Sequence, residues 1–216
     1  PYYKDKKLPV VFCGINESIA EYGYPSDFIT GMIEITPFNQ TIKFLKPYAK
    51  GRRIGYISGN TLTQRKLVSH MEKKYFTGRM IPYLVNTWTE FQGAFLSLQN
   101  EADLLLFPNY SGIRGWEKNE AELFIHNYTK IPSGSVNIFM SKYAIVTLAK
   151  ISDEHGKYAA VTSLKILAGR HPKSIPVVES EQYQLTLNMK LAQKAGIIFP
   201  LPVIKQAKLI NQESVR

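Results

Sequence analysis

Three segments place small and polar residues directly after short apolar runs, at residues 13–18, 58–61 and 108–112. Such runs are typical of buried parallel strands, and the carboxyl ends of parallel strands meet at one edge of the sheet. Helix N-termini beside that edge present free N–H groups, which favour a polar or carboxylate-bearing small molecule. Ordinary turns use the same residue types, so spacing alone leaves both interpretations open.

Catalytic and metal-binding patterns are absent from the sequence. It contains no phosphate-binding glycine loop, dinucleotide fingerprint, serine-hydrolase elbow or zinc-protease helix motif. The four histidines have no ligand spacing between them: His70, His126, His155 and His171. Cys13 is the single cysteine, so an internal disulfide is excluded, and its place in an apolar run predicts a buried, inert thiol. We therefore expect no metal and no cofactor.

The chain is basic, with 27 lysines and arginines against 17 acidic residues and a formal net charge of +10. These cations are scattered, and no run of five occurs. A solvated surface is therefore the favoured interpretation, a phosphate-binding stripe is the smaller alternative, and nucleic-acid binding is not expected. No apolar stretch has the length of a membrane span.

Apolar runs alternate with helical periodicity along most of the 216 residues. Strands are predicted at 8–16, 29–35, 54–58, 80–85, 103–108, 143–151, 177–178 and 184–187. Helices are predicted at 37–46, 62–74, 87–98, 116–128, 154–168, 189–195 and 202–210, with Thr36, Thr61 and Thr87 as N-caps and Gly169 as a terminator. This alternation predicts an α/β fold with parallel sheets flanked by helices.

Ordered blocks across nearly the whole chain carry a family resemblance. They read PVVFCGIN at 9–16, ITGM at 29–32, AKGRRIGY at 49–56, KIPSGS at 130–135, AIVTLAK at 144–150, SIPV at 174–177, and LNMKLA at 187–192 with AGI at 195–197. With these blocks the sequence resembles the ABC transporter substrate-binding protein family of the tryptophan/tyrosine-binding type.

The resemblance implies a two-lobed type I periplasmic-binding-protein fold. Residues 1–47 and 142–170 would form the first lobe, and residues 48–141 and 171–216 the second. The family begins with a further βαβα half-lobe, so the first lobe is expected to be incomplete here. Its exposed sheet edge and apolar surface would then favour a dimer through that lobe.

The implied function is that of a periplasmic or otherwise extracytoplasmic solute-binding protein, with or without a membrane anchor, and not of an enzyme. It would capture an amino-acid-like or other small organic solute between its lobes for an ABC permease. The stretch 133–140 looks more like relatives that serve as sensor regions, so the alternative is the ligand-sensing domain of a signalling protein such as a histidine kinase. The polar end 211–216 looks like a natural terminus and favours the transporter. An α/β enzyme with its site in a preceding segment is a third, unrelated possibility.

The ligand-binding residues expected under this resemblance fall into two groups. The first lobe would supply Asn16, Glu17 and Thr30, and the second Gly59, Asn60, Thr61, Asn109, Tyr110, Ser141 and Tyr143. Gly59 would allow close backbone approach, and Asn60 or Thr61 would hydrogen-bond a polar group. Asn109 would orient the ligand with its amide, and Tyr110 would offer an aromatic face.

Overall fold

The computed structural model describes residues 7–24, 26–74, 76 and 78–210. Residues 1–6, Pro25 in the predicted loop at 22–27, and the polar end 211–216 lie outside the described residues. In chain order the elements are β1 (Val10–Asn16), β2 (Ile29–Glu34), α1 (Phe38–Leu45), β3 (Ile54–Gly59), α2 (Leu62–Lys74), β4 (Met80–Val85), α3 (Trp88–Glu101), β5 (Leu104–Leu106), α4 (Lys118–Tyr128), β6 (Ser133–Ser135), β7 (Val146–Lys150), α5 (Ser152–Leu167), β8 (Val178–Glu179), β9 (Tyr183–Asn188), α6 (Met189–Lys194), α7 (Leu201–Gln206) and β10 (Lys208–Ile210).

The predicted alternation of strands and helices is present, with differences at element ends. Thr61 and Thr87 accept hydrogen bonds from the backbone N–H groups of Gln64 and Glu90, so both predicted N-caps are confirmed. Thr36 is not a cap, because α1 begins after Pro37 without a side-chain bond. The predicted helix 202–210 is wrong at its end: the chain extends at Ala207, and β10 pairs in parallel with β9.

The chain forms two compact units. The first unit lies within Pro1–Thr36 and Lys150–Tyr183, and the second within Pro37–Ala149 and Gln184–Arg216. These boundaries differ from those of the predicted lobes, because α1 packs on β6 of the second unit and β8 pairs with β2 of the first. The division into lobes itself stays a prediction.

The first unit contains a three-stranded parallel sheet in the order β1-β2-β8, with α5 packed on β1 and β2. The register of β1 against β2 shifts between Phe12 and Ile15, and Gly14 in that gap has a positive φ of 78°. Cys13 therefore bulges from the edge strand and is exposed. The prediction of a buried thiol is wrong.

The second unit contains a seven-stranded sheet in the order β10-β9-β7-β6-β5-β3-β4, and β3 pairs in parallel with both β4 and β5. All six residues of β3 and all three of β5 are buried. Strands covered on both faces are expected to read as continuous apolar runs, and these do. Among the described residues, no helix combines the length and apolar character needed to cross a membrane.

Helix α1 lies close against β6 because Gly134 has no side chain. A Cβ atom built at Gly134 would lie 2.5 Å from the Thr41 methyl carbon and 2.7 Å from Leu45 Cδ1. Thr41 and Leu45 are both fully buried, so neither can move aside into solvent. The glycine therefore fixes how closely this helix approaches the sheet.

We predict that Gly134→Ala lowers the free energy of unfolding by about 1–3 kcal/mol, because the added methyl group overpacks this interface. Gly93→Ala is the matched control. Gly93 is exposed on α3 with nothing within 4 Å of the built Cβ, so this change is expected to stabilise by about 0.5–1 kcal/mol. Urea denaturation measures both changes, and equal stability of the two variants would contradict the packing argument.

Candidate ligand-binding site

The loops after β3 and β5 meet at the carboxyl edge of the second unit's sheet. The Ser58 hydroxyl donates to the backbone carbonyl of Asn109 over 2.7 Å. A Cβ atom at Gly59 would overlap the Ser111 carbonyl oxygen. Gly59 was expected to allow a ligand to approach the backbone closely. In the structure it is the β5 loop of the chain itself that approaches Gly59. Two of the predicted segments, 58–61 and 108–112, are thus brought together.

Asn60 and Thr61 are engaged within the fold. The Asn60 side chain accepts from Arg65 Nη1 at 2.8 Å and donates to Asn86 Oδ1 at 3.2 Å. The Thr61 hydroxyl caps α2, and its methyl group lies beside Gly112, which has a φ of +88°. These contacts fix the start of α2 against the β5 loop.

The β5 loop is held by its own hydrogen bonds. Asn109 Oδ1 accepts from the Ser111 backbone N–H at 2.7 Å, which closes an Asx turn. The side-chain amide of Asn137 donates to the Pro108 carbonyl at 2.9 Å. Within the described part of the chain, Asn109 Nδ2 makes no hydrogen bond, so this donor is what the side chain offers a ligand.

Four aromatic side chains surround the tip of this loop, and we call them the aromatic cluster: Tyr110, Trp116, Phe139 and Tyr143. Tyr110 stacks on Trp116 with ring centroids 5.0 Å apart and planes 3° apart. Phe139 and Tyr143 meet Tyr110 edge-on at 5.7 and 5.8 Å. Tyr110 remains partly exposed and Phe139 is 49% exposed, so the cluster presents aromatic surface to solvent.

Trp116 and Phe139 were not among the residues predicted from the sequence. Gly112 and Gly115 both have positive φ angles, 88° and 76°, and these turns return the chain so that Trp116 lies under Tyr110. Two glycines flanking a short loop before a tryptophan were the available signal. Phe139 lies in a single 3₁₀ turn, Ile138–Met140, for which the sequence carried no periodic signal.

Tyr143 and Ser141 support the cluster from the crossover before β7. Tyr143 is 3% exposed, and burial raises the pKa of its hydroxyl. The Ser141 backbone carbonyl accepts from Asn188 Nδ2 at 3.2 Å, and so does the Lys142 carbonyl at 3.1 Å. Asn188 also caps α6 through Leu191 N–H, so one buried amide fixes the crossover to the helix.

The three candidates of the first unit differ in accessibility. Asn16 is exposed at the end of β1. Glu17 has a φ of +64°, and its carboxylate accepts from the Thr36 backbone N–H at 2.8 Å. Thr30 is fully buried, and its hydroxyl donates to the Ile175 carbonyl at 2.8 Å, so it holds the chain before β8 against β2. Close by, Lys150 forms an ion pair with Glu34 at the end of β2.

No group of three or more side chains suited to a metal ion occurs among the described residues. The edge instead combines parallel-sheet loops, a free amide donor and aromatic surface, which are groups suited to contacting small organic molecules.

The chain belongs to the ABC transporter substrate-binding protein family, whose model matches residues 3–210. This match to the family model confirms the family predicted from the sequence. No curated protein sequence matches the chain.

Three solved structures share the fold. The ligand-free, open structure of a substrate binding protein with adhesive properties from Clostridium difficile is 17% identical with a TM-score of 0.66, covering 86% of this chain and 63% of that one. An ABC domain in complex with L-Trp from Streptococcus pneumonia is 18% identical with a TM-score of 0.60. The match covers 94% of this chain and 72% of that one. A conserved domain protein from Vibrio cholerae is 19% identical with a TM-score of 0.51. The match covers 84% of this chain and 62% of that one.

These likenesses confirm the predicted fold class: an α/β periplasmic-binding-protein fold with mostly parallel sheets flanked by helices. The chain spans less than two thirds of the length of the Clostridium structure.

We predict that Asn188→Ala lowers the free energy of unfolding by about 2–4 kcal/mol, because two carbonyls lose a buried donor and α6 loses its cap. Asn188→Asp separates the two roles. Aspartate caps a helix as well as asparagine does, but its carboxylate would face two carbonyl oxygens. We therefore expect the free energy of unfolding to fall by at least as much as in the alanine variant. Thermal unfolding followed by circular dichroism measures both, and near-native stability of the aspartate variant would contradict the donor role.

Proposed function

We propose that this protein is an extracytoplasmic receptor that binds a small organic solute and delivers it to an ABC permease, without catalysing a reaction. Membership of the substrate-binding family supports this role. The observation that carries it is the aromatic cluster beside the hydrogen-bonded β5 loop at the carboxyl edge of the second unit's sheet.

The ligand class that this edge favours is an amino-acid-like molecule with a planar or apolar side chain. Aromatic pairs stabilise by about 0.5–1.5 kcal/mol beyond the area they bury, and Tyr110 and Phe139 offer partly exposed rings for such contact. Asn109 Nδ2 is placed to donate to a carboxylate or carbonyl. The related Streptococcus structure was solved with L-Trp, which agrees with this class.

The loops that carry these groups cost little to order on binding. The Asn109 Asx turn, the Ser58 bond to the Asn109 carbonyl and the Asn137 bond to the Pro108 carbonyl already fix the loop. Preorganised groups retain more of their contact energy as affinity. Residues Asn16, Glu17, Thr30, Gly59, Asn60, Thr61, Ser141 and Tyr143 remain proposed members of the site, with Thr30, Gly59 and Tyr143 as supports for residues that contact ligand.

A ligand-sensing domain of a signalling protein is the second candidate. The segment 133–140 that resembles sensor relatives includes β6 and the turn that contributes Phe139 to the aromatic cluster. Both candidates therefore require solute binding at this edge. Reconstitution with a permease separates them, because only the receptor stimulates solute uptake and ATP hydrolysis.

We predict that Tyr110→Ala weakens solute binding by about three- to tenfold, because a stacking contact of about 0.5–1.5 kcal/mol is lost. Asn109→Ala is expected to weaken it similarly, since a hydrogen bond is lost and the Asx turn is opened. Isothermal titration calorimetry with L-tryptophan and L-tyrosine as first probes, and L-lysine as the contrasting probe, measures the affinities.

Tyr110→Phe and Tyr128→Ala are the controls for this experiment. The first keeps the ring, and the second removes an exposed tyrosine of α4 that lies outside the aromatic cluster. Both should bind as the parent does. Unchanged affinity in folded Tyr110→Ala and Asn109→Ala would show that the solute-binding site lies elsewhere.

We further propose that the first unit associates with a second copy. Helix α5 exposes apolar side chains at i, i+3 and i+6 spacing, with Val161, Leu164 and Leu167 at 42%, 65% and 83% exposure. The neighbouring β1 is an edge strand of its sheet. An exposed edge and an apolar stripe together favour association.

We predict a concentration-dependent dimer in sedimentation velocity, which Leu164→Glu/Leu167→Glu converts to monomer by placing charges in the stripe. Leu123→Glu/Leu201→Glu is the matched control, because both leucines are 62% exposed but lie in the second unit. A parent protein that stays monomeric throughout the micromolar range would refute the dimer.

A further inference from the structure

A cleft lies at the amino ends of β3, β4 and β5. Ile54 and Leu104 begin β3 and β5 there, and Arg79 precedes β4. The volume of the cleft is about 300 Å³, which falls at the lower end of small-molecule sites. We call it the basic cleft. It is lined by Asn39, Ile42, Lys43, Lys46, Gly51, Arg52, Ile54, Phe76, Arg79 and Leu104.

The lining combines cations with an apolar floor. Lys43, Lys46, Arg52 and Arg79 each carry a positive charge, and none of the described residues that line the cleft is acidic. Lysines near the C-terminus of α1 also complement the helix dipole, which accounts for Lys43 and Lys46 but not for the two arginines. The arginines come from a loop and from the residue before β4, so the convergence of charge is a property of the tertiary fold.

The carboxylate of Asp103, which packs on Gly51 of the cleft lining, is already paired. Asp103 accepts from the Arg53 backbone N–H at 2.8 Å and pairs with its guanidinium at 3.3 Å. The Arg53 side chain, and then its backbone N–H, hold the pKa of Asp103 below its ordinary value. Asp103 also packs against Gly51, where a Cβ would come within 2.5 Å of its carboxylate. It therefore fixes the loop that carries Arg52 without cancelling the charge of the cleft.

The other cations are also held by anchored backbone. The close packing at Gly134 positions α1 and with it Lys43 and Lys46. The Arg79 carbonyl accepts from Ile54 N–H at 2.8 Å, which ties the start of β4 to the start of β3. A site whose backbone is fixed before the ligand arrives loses less affinity to ordering than one on a flexible loop does.

We propose that the basic cleft binds an organic phosphate: the anionic head meets the four cations, and an apolar portion lies on Ile42, Ile54 and Leu104. Phosphate is favoured because it carries close to two negative charges and several acceptor oxygens, which arginine recognises in bidentate geometry. The apolar floor favours an ester with a hydrocarbon part over inorganic phosphate. This site is independent of the solute site at the opposite edge of the sheet.

Hexyl phosphate and inorganic phosphate are the probes, measured by calorimetry on the full chain. Hexyl phosphate should bind at least about tenfold more tightly, because several methylene groups leave water. The double variant Lys43→Gln/Lys46→Gln should bind it about fivefold more weakly, as expected for two partly solvated ion contacts. The matched control, Lys194→Gln/Lys205→Gln, removes exposed lysines from the last turns of α6 and α7 and should bind as the parent does.

Vesicles distinguish the two sources of such a phosphate. Binding to vesicles of phosphatidic acid with phosphatidylcholine, but not of phosphatidylcholine alone, that requires Lys43 and Lys46 would identify a lipid headgroup as the source. Binding of hexyl phosphate without vesicle binding would identify a soluble ester. Equal affinity for hexyl and inorganic phosphate, or equal affinity in the double variant and its matched control, would overturn the proposal.

Discussion

The contact between the Gly59 backbone and the Ser111 carbonyl governs the carboxyl edge of the second unit's sheet. Any side chain at Gly59 would overlap that carbonyl oxygen. The Ser58 hydroxyl, one residue earlier, bonds to the Asn109 carbonyl of the same loop. Because the loop rests on the end of β3, Tyr110 is held where Trp116, Phe139 and Tyr143 can pack around it. The aromatic surface thus depends on a position where no side chain fits.

Much of the fold was predictable because parallel α/β structure is encoded locally. Buried strands such as β3 and β5 read as continuous apolar runs, and Thr61 and Thr87 occur as caps where helices begin. The position of the candidate site followed from the same pattern, since strand ends share an edge. The segments 58–61 and 108–112 were therefore paired correctly.

The roles of individual side chains were less predictable, because they depend on contacts between distant segments. Thr30 is polar and near a strand end, but its hydroxyl is used on the Ile175 carbonyl, 145 residues away. Cys13 lies in an apolar run, yet a register shift at the edge strand exposes it. Trp116 joins Tyr110 only because two positive-φ glycines reverse the chain. None of these contacts produces a helical or strand periodicity in the sequence, so the sequence pattern does not predict them.

Chain direction gives the two edges of this sheet different chemistry. At the carboxyl edge, asparagine and serine side chains close the loops, and the buried titratable group of the aromatic cluster, Tyr143, has its hydroxyl pKa raised by burial. The phenol therefore stays neutral near pH 7, and its ring packs within the aromatic cluster. At the amino edge, cations that are scattered in sequence converge from three segments around an apolar floor. The net charge of +10 alone therefore does not describe this surface, because its effect depends on which segments the sheet brings to the same edge.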